Sequence, residues 1–198
     1  MWNIRAASLA GIAALALAAQ PSVAAPAHHR SEKRCSPAGI RAAHGTARAE
    51  RRIRCLLNAR RARTGMRPLR WDRCLDRAAE RHARDMVRRR YFAHASLGGR
   101  TLVQRARATG YVPRNGRWSL GENLAWGAGR RATAAATVRG WLRSPPHRRN
   151  VFTSRFRDVG IAVVHGAPVR LPRGARARVA RVTVVAEFGA RAPGRCRR

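Results

Sequence analysis

An α+β fold is what the sequence predicts, and three observations carry that reading. Apolar residues recur at helical spacing over residues 46–63 and again over 72–90. Two β-branched runs, at 159–164 and 179–188, are separated by a Pro- and Gly-containing loop at 166–174, which suits neighbouring antiparallel strands. Between the two blocks, residues 118–126 alternate weakly and are bounded by glycines, as in a strand passing into a loop. The 198 residues leave room for one domain with a sizeable core plus terminal material.

The first helix takes Thr46 as its N-cap, buries Ala49, Ile53, Leu56 and Leu57, and places Glu50 in its early turns and Arg60, Arg61 and Arg63 near its negative end. Gly65 and Pro68 stop it. Asp72 begins the second helix, with Asp76 in its positive first turn and Leu75, Ala79, His82 and Met86 on one stripe. His82 therefore points inward and reads as a core histidine with its ring nitrogens satisfied, since no second candidate shares its face. Arg88-Arg89-Arg90 fray that helix and deliver Tyr91, Phe92 and His94 into a connection. Gly98-Gly99 breaks the chain, and Thr101 caps a short helix carrying Leu102, Val103 and Ala106 to Gly110. Gly121 marks a close backbone approach beside Glu122. A helix over 132–143 carries Val138, Trp141 and Leu142. Ser144 at N-cap and Pro145 at the first helical position then put His147 in the first turn of a further short helix, whose positive end holds the imidazole neutral.

The termini are of a different kind. Residues 1–24 have Arg5 before an apolar run at 6–19 and Ser22-Val23-Ala24 at the cleavage positions, the pattern of a secretory signal peptide and shorter than the roughly 20 apolar residues a membrane span needs. The mature protein is thus expected to be secreted and extracellular, and no cysteine follows the apolar run until Cys35, which speaks against a lipid anchor. Residues 25–45 read as an irregular lead-in with His28 and His29, 46–190 as the domain, and 191–198 as a basic tail. Cys35, Cys55, Cys74 and Cys196 predict two disulfides in an oxidising compartment, with all three pairings open, and none of their spacings forms a paired zinc motif.

A formal charge of +34, from 43 Lys and Arg against 9 Asp and Glu, implies attraction to anionic envelope polymers or a membrane surface. Lys33 is the only lysine, so an arginine-rich coding bias spread over a solvated surface explains the same number. Aromatics are sparse among the arginine runs, and no Gly-rich phosphate loop is present, so no specific nucleic acid is expected as a partner.

Chemistry concentrates at three places. Past Asp85 the acids are Glu122, Asp158 and Glu187, and Glu122 lies among Leu120, Leu124 and Trp126, where a carboxylate needs a hydrogen bond, a counter-charge or a metal. His94 and His147 sit in similarly apolar or pre-ordered settings. The blocks Leu56-Leu57-Asn58 with Arg61, Pro68-Leu69-Arg70-Trp71, Ala78-Ala79 with His82 and Asp85-Met86, Tyr91-Phe92-Ala93-His94, residues 121–127, Trp141 with Ser144-Pro145-Pro146-His147-Arg148-Arg149-Asn150, Val159-Gly160-Ile161, and Phe188-Gly189 run in this order over residues 52–189. Together they resemble the CAP superfamily of cysteine-rich secretory proteins, antigen 5 and pathogenesis-related proteins, and its secreted bacterial SCP-domain branch in particular.

That resemblance implies an α-β-α sandwich, with a small antiparallel sheet between helical layers, and a central cavity lined by two His and two Glu that in several members binds a divalent metal. His94, Glu122 and His147 match three of those positions. Ser144 stands where many eukaryotic members have the second Glu. Two imidazoles and a carboxylate suit zinc or another divalent metal with water as fourth ligand, and equally a metal-free hydrogen-bond cluster. The favoured function is a monomeric binding module for a lipid-like or anionic extracellular ligand, the resemblance pointing to sterols, other lipids or fatty acids. Phe92, Leu124, Trp126 and Trp141 lie close to the cleft, at least half of them as core. The first alternative is a metal-assisted hydrolase of peptides or cell-wall material, with Glu122 and His147 catalytic. The second is charge-based adhesion to anionic envelope polymers. A Ser144–His147–Glu122 triad is disfavoured, because Ser144 reads as an N-cap and no Gly-x-Ser-x-Gly elbow surrounds it.

Overall fold

The structure is a computed structural model that describes Cys35 and residues 46–170, 179–192 and Cys196. The signal peptide, the lead-in apart from Cys35, and most of the basic tail lie outside the described residues. The elements run α1 (Thr46–Ala62), β1 (Arg70–Trp71), α2 (Arg73–Arg89), α3 (Leu102–Ala108), β2 (Trp118–Ala128), a 3-10 turn (Gly129–Arg131), α4 (Ala134–Arg143), α5 (Pro145–Val151), β3 (Asp158–His165) and β4 (Arg181–Arg191).

The four strands form one sheet in the order β1-β3-β4-β2. β4 pairs antiparallel with both β2 and β3, as the two late β-branched runs predict. The sheet is nevertheless mixed, because β1 pairs parallel with β3. β1 left no trace in the sequence pattern: it is two exposed residues long, too short to alternate, and Asp72 turns the chain straight into α2.

Strand alternation sorts the core into two layers, which makes the sandwich. Val159, Ile161 and Val163 of β3, with Val182, Val184, Ala186 and Phe188 of β4, pack against Ile53 and Leu57 of α1 and Val138 and Trp141 of α4. On the other face Ala162 and Val185 meet Ala79, Ala83 and Met86 of α2, while Cys74, Leu75, Ala106 and Tyr111 close the end nearest α3. The predicted α2 stripe is buried throughout, and Asp72 caps the helix by accepting from the N–H groups of Cys74 (2.8 Å) and Leu75 (3.1 Å). Thr101 makes a capping box with Gln104 on α3. Asn58 reaches across to Leu69, donating to its carbonyl at 3.0 Å and accepting from its N–H at 2.8 Å.

Side chains cover part of each side of the sheet, which reduces the free ladder groups that invite a second chain. At β3, beyond the end of β1, the N–H groups of Ile161 and Val163 donate to Asp76 (3.2 Å) and Glu50 (3.0 Å). At β2, the carbonyls of Glu122 and Leu124 accept from Asn150 (3.0 Å) and the Trp141 indole (3.0 Å). Gly121 lies beneath this contact, with a Cβ there falling 2.8 Å from Asn150 Oδ1 and 2.9 Å from Phe156, so the close approach predicted at that glycine is present. Arg61 is wholly buried, and it donates to the carbonyls of Val151 (2.7 Å), Phe156 (3.1 Å) and Arg67 (2.9 Å), pinning the turn between α5 and β3.

Of the three pairings open to the cysteines, the structure has Cys35–Cys55 and Cys74–Cys196. The second ties the C-terminal end of the chain to the first turn of α2. That turn lies directly on β3, since a Cβ on Gly160 would fall 2.1 Å from the backbone of Leu75 and Asp76. Gly160→Ala should therefore lower the unfolding free energy by roughly 3 kcal/mol or more, because backbone rather than a flexible side chain must move. A urea titration checks this, and an unchanged midpoint contradicts the packing.

Candidate functional site

The site forms around Glu122. β2 and β4 pair Glu122 with Glu187, so both side chains project from the same face, towards α2 and α3. Glu122 is 6% exposed and Glu187 is fully buried. Arg105 of α3, itself 5% exposed, places its Nη2 at 2.5 Å from Glu122 Oε2. Its Nη1 donates to the carbonyls of His94 (2.8 Å) and Arg100 (3.2 Å), fixing the connection that carries His94. His94 Nδ1 then donates to Glu122 Oε1 at 2.7 Å. The need for a counter-charge at Glu122 was legible, but its main source, Arg105, was not singled out. It lies on the stripe of Leu102 and Ala106, a position that marks inward side chains even when the residue is an arginine.

Glu187 also went unassigned, although an acid inside the β-branched run of β4 poses the same question as Glu122. Its nearest counter-charge is Arg105 Nε at 3.7 Å from Oε1, too long for a hydrogen bond, and neither oxygen has a hydrogen-bond partner among the described residues. Burial, and then the Glu122 carboxylate, push its pKa well up and favour the neutral acid. His82 corrects a further expectation. It is buried, and its Nε2 donates to the Ala93 carbonyl at 3.0 Å, but Nδ1 has no hydrogen-bond partner among the described residues. It also has company on its face, for Glu122 Oε2 lies 4.0 Å from Nε2. Burial, and then Arg105, hold the ring's pKa down.

His147 approaches from the opposite layer, at the start of α5. Its carbonyl accepts from Asn123 Nδ2 at 3.0 Å, which docks it on β2. The ring makes its hydrogen bond to the Ser144 hydroxyl, Nδ1 to Oγ at 2.8 Å. Ser144 does occupy the N-cap, its carbonyl accepting from Arg148 N at 2.8 Å, yet its side chain orients the imidazole instead of capping the backbone. The His147 pKa is lowered as expected, but by burial first and then by the charge of His94. His94 goes the other way, raised first by its hydrogen bond to Glu122. The three residues thus gather near the edge of β2, with His94 and Glu122 in contact and His147 within electrostatic reach of His94. No Ser-His-Glu triad forms, as both Glu122 oxygens are engaged by His94 and Arg105.

The same engagement decides whether a divalent metal fits. The ligand atoms of His94, Glu122 and His147 do not gather within 4.8 Å of one another, and the one group of three among the described residues that does, Asp72, Cys74 and Cys196, has both its cysteines tied up in a disulfide. A guanidinium already lies against Glu122 on the side where a second cation would be repelled. The residues as placed do not fit a metal cage.

With this geometry in hand, the likeness to known proteins is specific. The family model described as CAP, cysteine-rich secretory protein family, matches residues 55–181. The chain belongs to that family. Among curated sequences it is 28% identical over 120 residues to "Uncharacterized protein YkwD" of Bacillus subtilis, covering 61% of this chain and 44% of that one. It is 31% identical over 115 residues to "Uncharacterized membrane protein YlbC" of the same organism, covering 58% and 31%. A crystal structure of an extracellular protein containing a SCP domain from Bacillus anthracis superposes with a TM-score of 0.56 at 26% identity, over 73% of this chain and 41% of that one. The chain spans less than half the length of each of these relatives.

Two outcomes test the site. Arg105→Met strands the buried Glu122 carboxylate and should cost about 3–5 kcal/mol in a denaturant titration. His82 gives a pH signature. With its folded pKa depressed below the ordinary 6.5, the unfolded chain takes up a proton that the native ring resists, so its contribution to stability is present above that pH and lost as pH falls below it. The slope of stability against pH between about 5 and 7 should flatten in His82→Asn, and a slope identical to wild type contradicts the assignment.

Proposed function

We propose that this CAP domain is an exported binding module for an amphiphilic ligand with an anionic head, held along the outer edge of β2. The observation that carries the reading is a groove of about 580 Å³ between β2 and α4. Its walls combine Leu124, Trp126 and Trp141 with Arg130, Arg131, Arg139 and Arg143, and include Ser144 and His147. Leu124 and Trp141 are core residues whose faces line the groove, whereas Trp126 is 41% exposed and available to a ligand. Phe92, also 41% exposed, does not line it.

The volume falls in the range of small-molecule sites, about 300–1,000 Å³. An apolar chain gains about 0.8 kcal/mol for each methylene it buries there. The guanidinium forks recognise a carboxylate or phosphate head in bidentate fashion. His147, kept towards its neutral form and oriented by Ser144, presents a polar group in the same wall. Export belongs to the proposal. Residues 1–24 have the signal-peptide pattern, both disulfides suit an oxidising compartment, and the superposed relative is described as extracellular. No helix among the described residues is long and apolar enough to cross a membrane.

Dodecyl phosphate, below its micellar concentration, is a suitable probe. Wild type should bind it more tightly than dodecanol, and Trp126→Ala, at an exposed position that leaves the core intact, should weaken binding by about tenfold, equivalent to about 1.4 kcal/mol. Calorimetry that finds no binding, or equal affinity in the two proteins, overturns the proposal.

A further inference from the structure

A second concavity, separate from the groove at β2, lies over the outward face of α2. It measures about 780 Å³ and runs between the connection at 96–100 with α3 on one side and the end of β3 on the other. Among the described residues six guanidinium groups line it: Arg81, Arg84, Arg88 and Arg89 from α2, Arg100 from the connection, and Arg105 from α3. Three acids offset part of this charge, and Arg105 is already committed to Glu122 at 2.5 Å. Glu80 pairs with Arg84 at 2.8 Å, and Asp85 with Arg88 at 3.2 Å and Arg89 at 4.0 Å. Arg81 and Arg100 are exposed and make no ion pair among the described residues.

The arrangement is linear. Arg81, Arg84 and Arg88 stand at i, i+3 and i+7 on α2, so successive charges rise by roughly 4.5 and 6 Å along one face. A row of that kind matches a chain with a charge at regular intervals better than it matches a compact anion. Guanidinium forks bind phosphate oxygens in pairs, and the chain as a whole uses arginine almost to the exclusion of lysine. Among the described residues no Phe, Tyr or Trp lines the concavity, so they offer no stacking platform on which the bases of a single-stranded nucleic acid would rest.

We infer that this concavity binds a linear phosphodiester polymer without bases, of the polyol-phosphate class, through Arg81, Arg84, Arg88 and Arg100. The binding is site-directed and not a by-product of the formal charge of +34. It is also independent of the amphiphile groove, with which it shares no lining residue.

The test compares two triple variants that lower the formal charge equally. One is Arg81→Gln with Arg84→Gln and Arg100→Gln, in the concavity. The other is Arg48→Gln with Arg114→Gln and Arg117→Gln, at exposed positions outside it. All six side chains are on the surface, and circular dichroism with thermal melting confirms that both variants fold. The probe is a fluorescently labelled glycerol-phosphate oligomer of about ten phosphates, titrated by anisotropy over a salt series about physiological ionic strength. Single-stranded DNA and polyglutamate of equal charge serve as comparators.

The expected result is a loss of at least about tenfold in the concavity variant with a shallower salt slope by about two, against less than about threefold in the outside variant. Trp126→Ala should bind the oligomer like wild type. Equal losses in the two triples overturn the inference in favour of adhesion by net charge. Equal or tighter binding of DNA or polyglutamate overturns the choice of ligand class.

Discussion

Glu122 sits on the inward face of the edge strand β2, where water has little access, and a carboxylate there is tolerated only if its neighbours supply what water would have. Arg105 supplies most of it. The same guanidinium that meets Glu122 also donates to the carbonyls of His94 and Arg100, so the connection after α2 is held by a charged fork, together with the His82 bond to the Ala93 carbonyl and the packing of Tyr91. That matters because the connection is largely exposed and has no core of its own, Phe92 and Leu97 included. His94 reaches the second Glu122 oxygen because Arg105 has already fixed the backbone that carries it. A buried ion pair of this sort is weak as a source of stability and strong as a device for fixing one arrangement among several.

The two histidines at the edge of β2 are tuned in opposite directions by this arrangement. His94 leans on a carboxylate and is drawn towards the imidazolium, while His147 faces that charge, half-buried, and is drawn towards the neutral ring. Ser144 sets the orientation of His147, and it stands where the family resemblance leads one to look for a second carboxylate. A hydroxyl there cannot help to hold a divalent cation as a carboxylate does, and Arg105 already provides the positive charge beside Glu122. The interior is thus charge-balanced from within, by Arg105 and the two acids beside it. Outside it, Trp126 and the arginines of α4 meet solvent.

Much of this architecture is written in local pattern. The α2 stripe, the caps at Asp72 and Thr101, the Ser-Pro-Pro turn before His147 and the two β-branched strands all follow from periodicity or capping chemistry, and the structure has each of them. The rest depends on long-range partners, to which periodicity is blind. β1 exists because Arg70 and Trp71 pass beside β3, and a pair of residues shows no period. Arg105 and Arg61 were hidden by abundance: where nearly every basic residue is an arginine, two buried ones look like the other exposed ones. Glu187 was legible in principle, since an acid in an apolar strand raises the same demand as Glu122. What no local reading supplies is the cross-strand register that sets the two acids side by side.

Glu122 governs the state of His94 through their hydrogen bond, and the imidazole titration measures that directly. Nitrogen-resolved NMR of the histidine side chains, followed across pH in the wild-type protein and in Glu122→Gln, separates His94 from the other rings. The His94 pKa should lie above the ordinary value of 6.5 in the wild type and fall back towards it when the amide replaces the carboxylate. A His94 that titrates at the same pH in both proteins would contradict the Glu122–His94 contact on which the site and the loop that carries it depend.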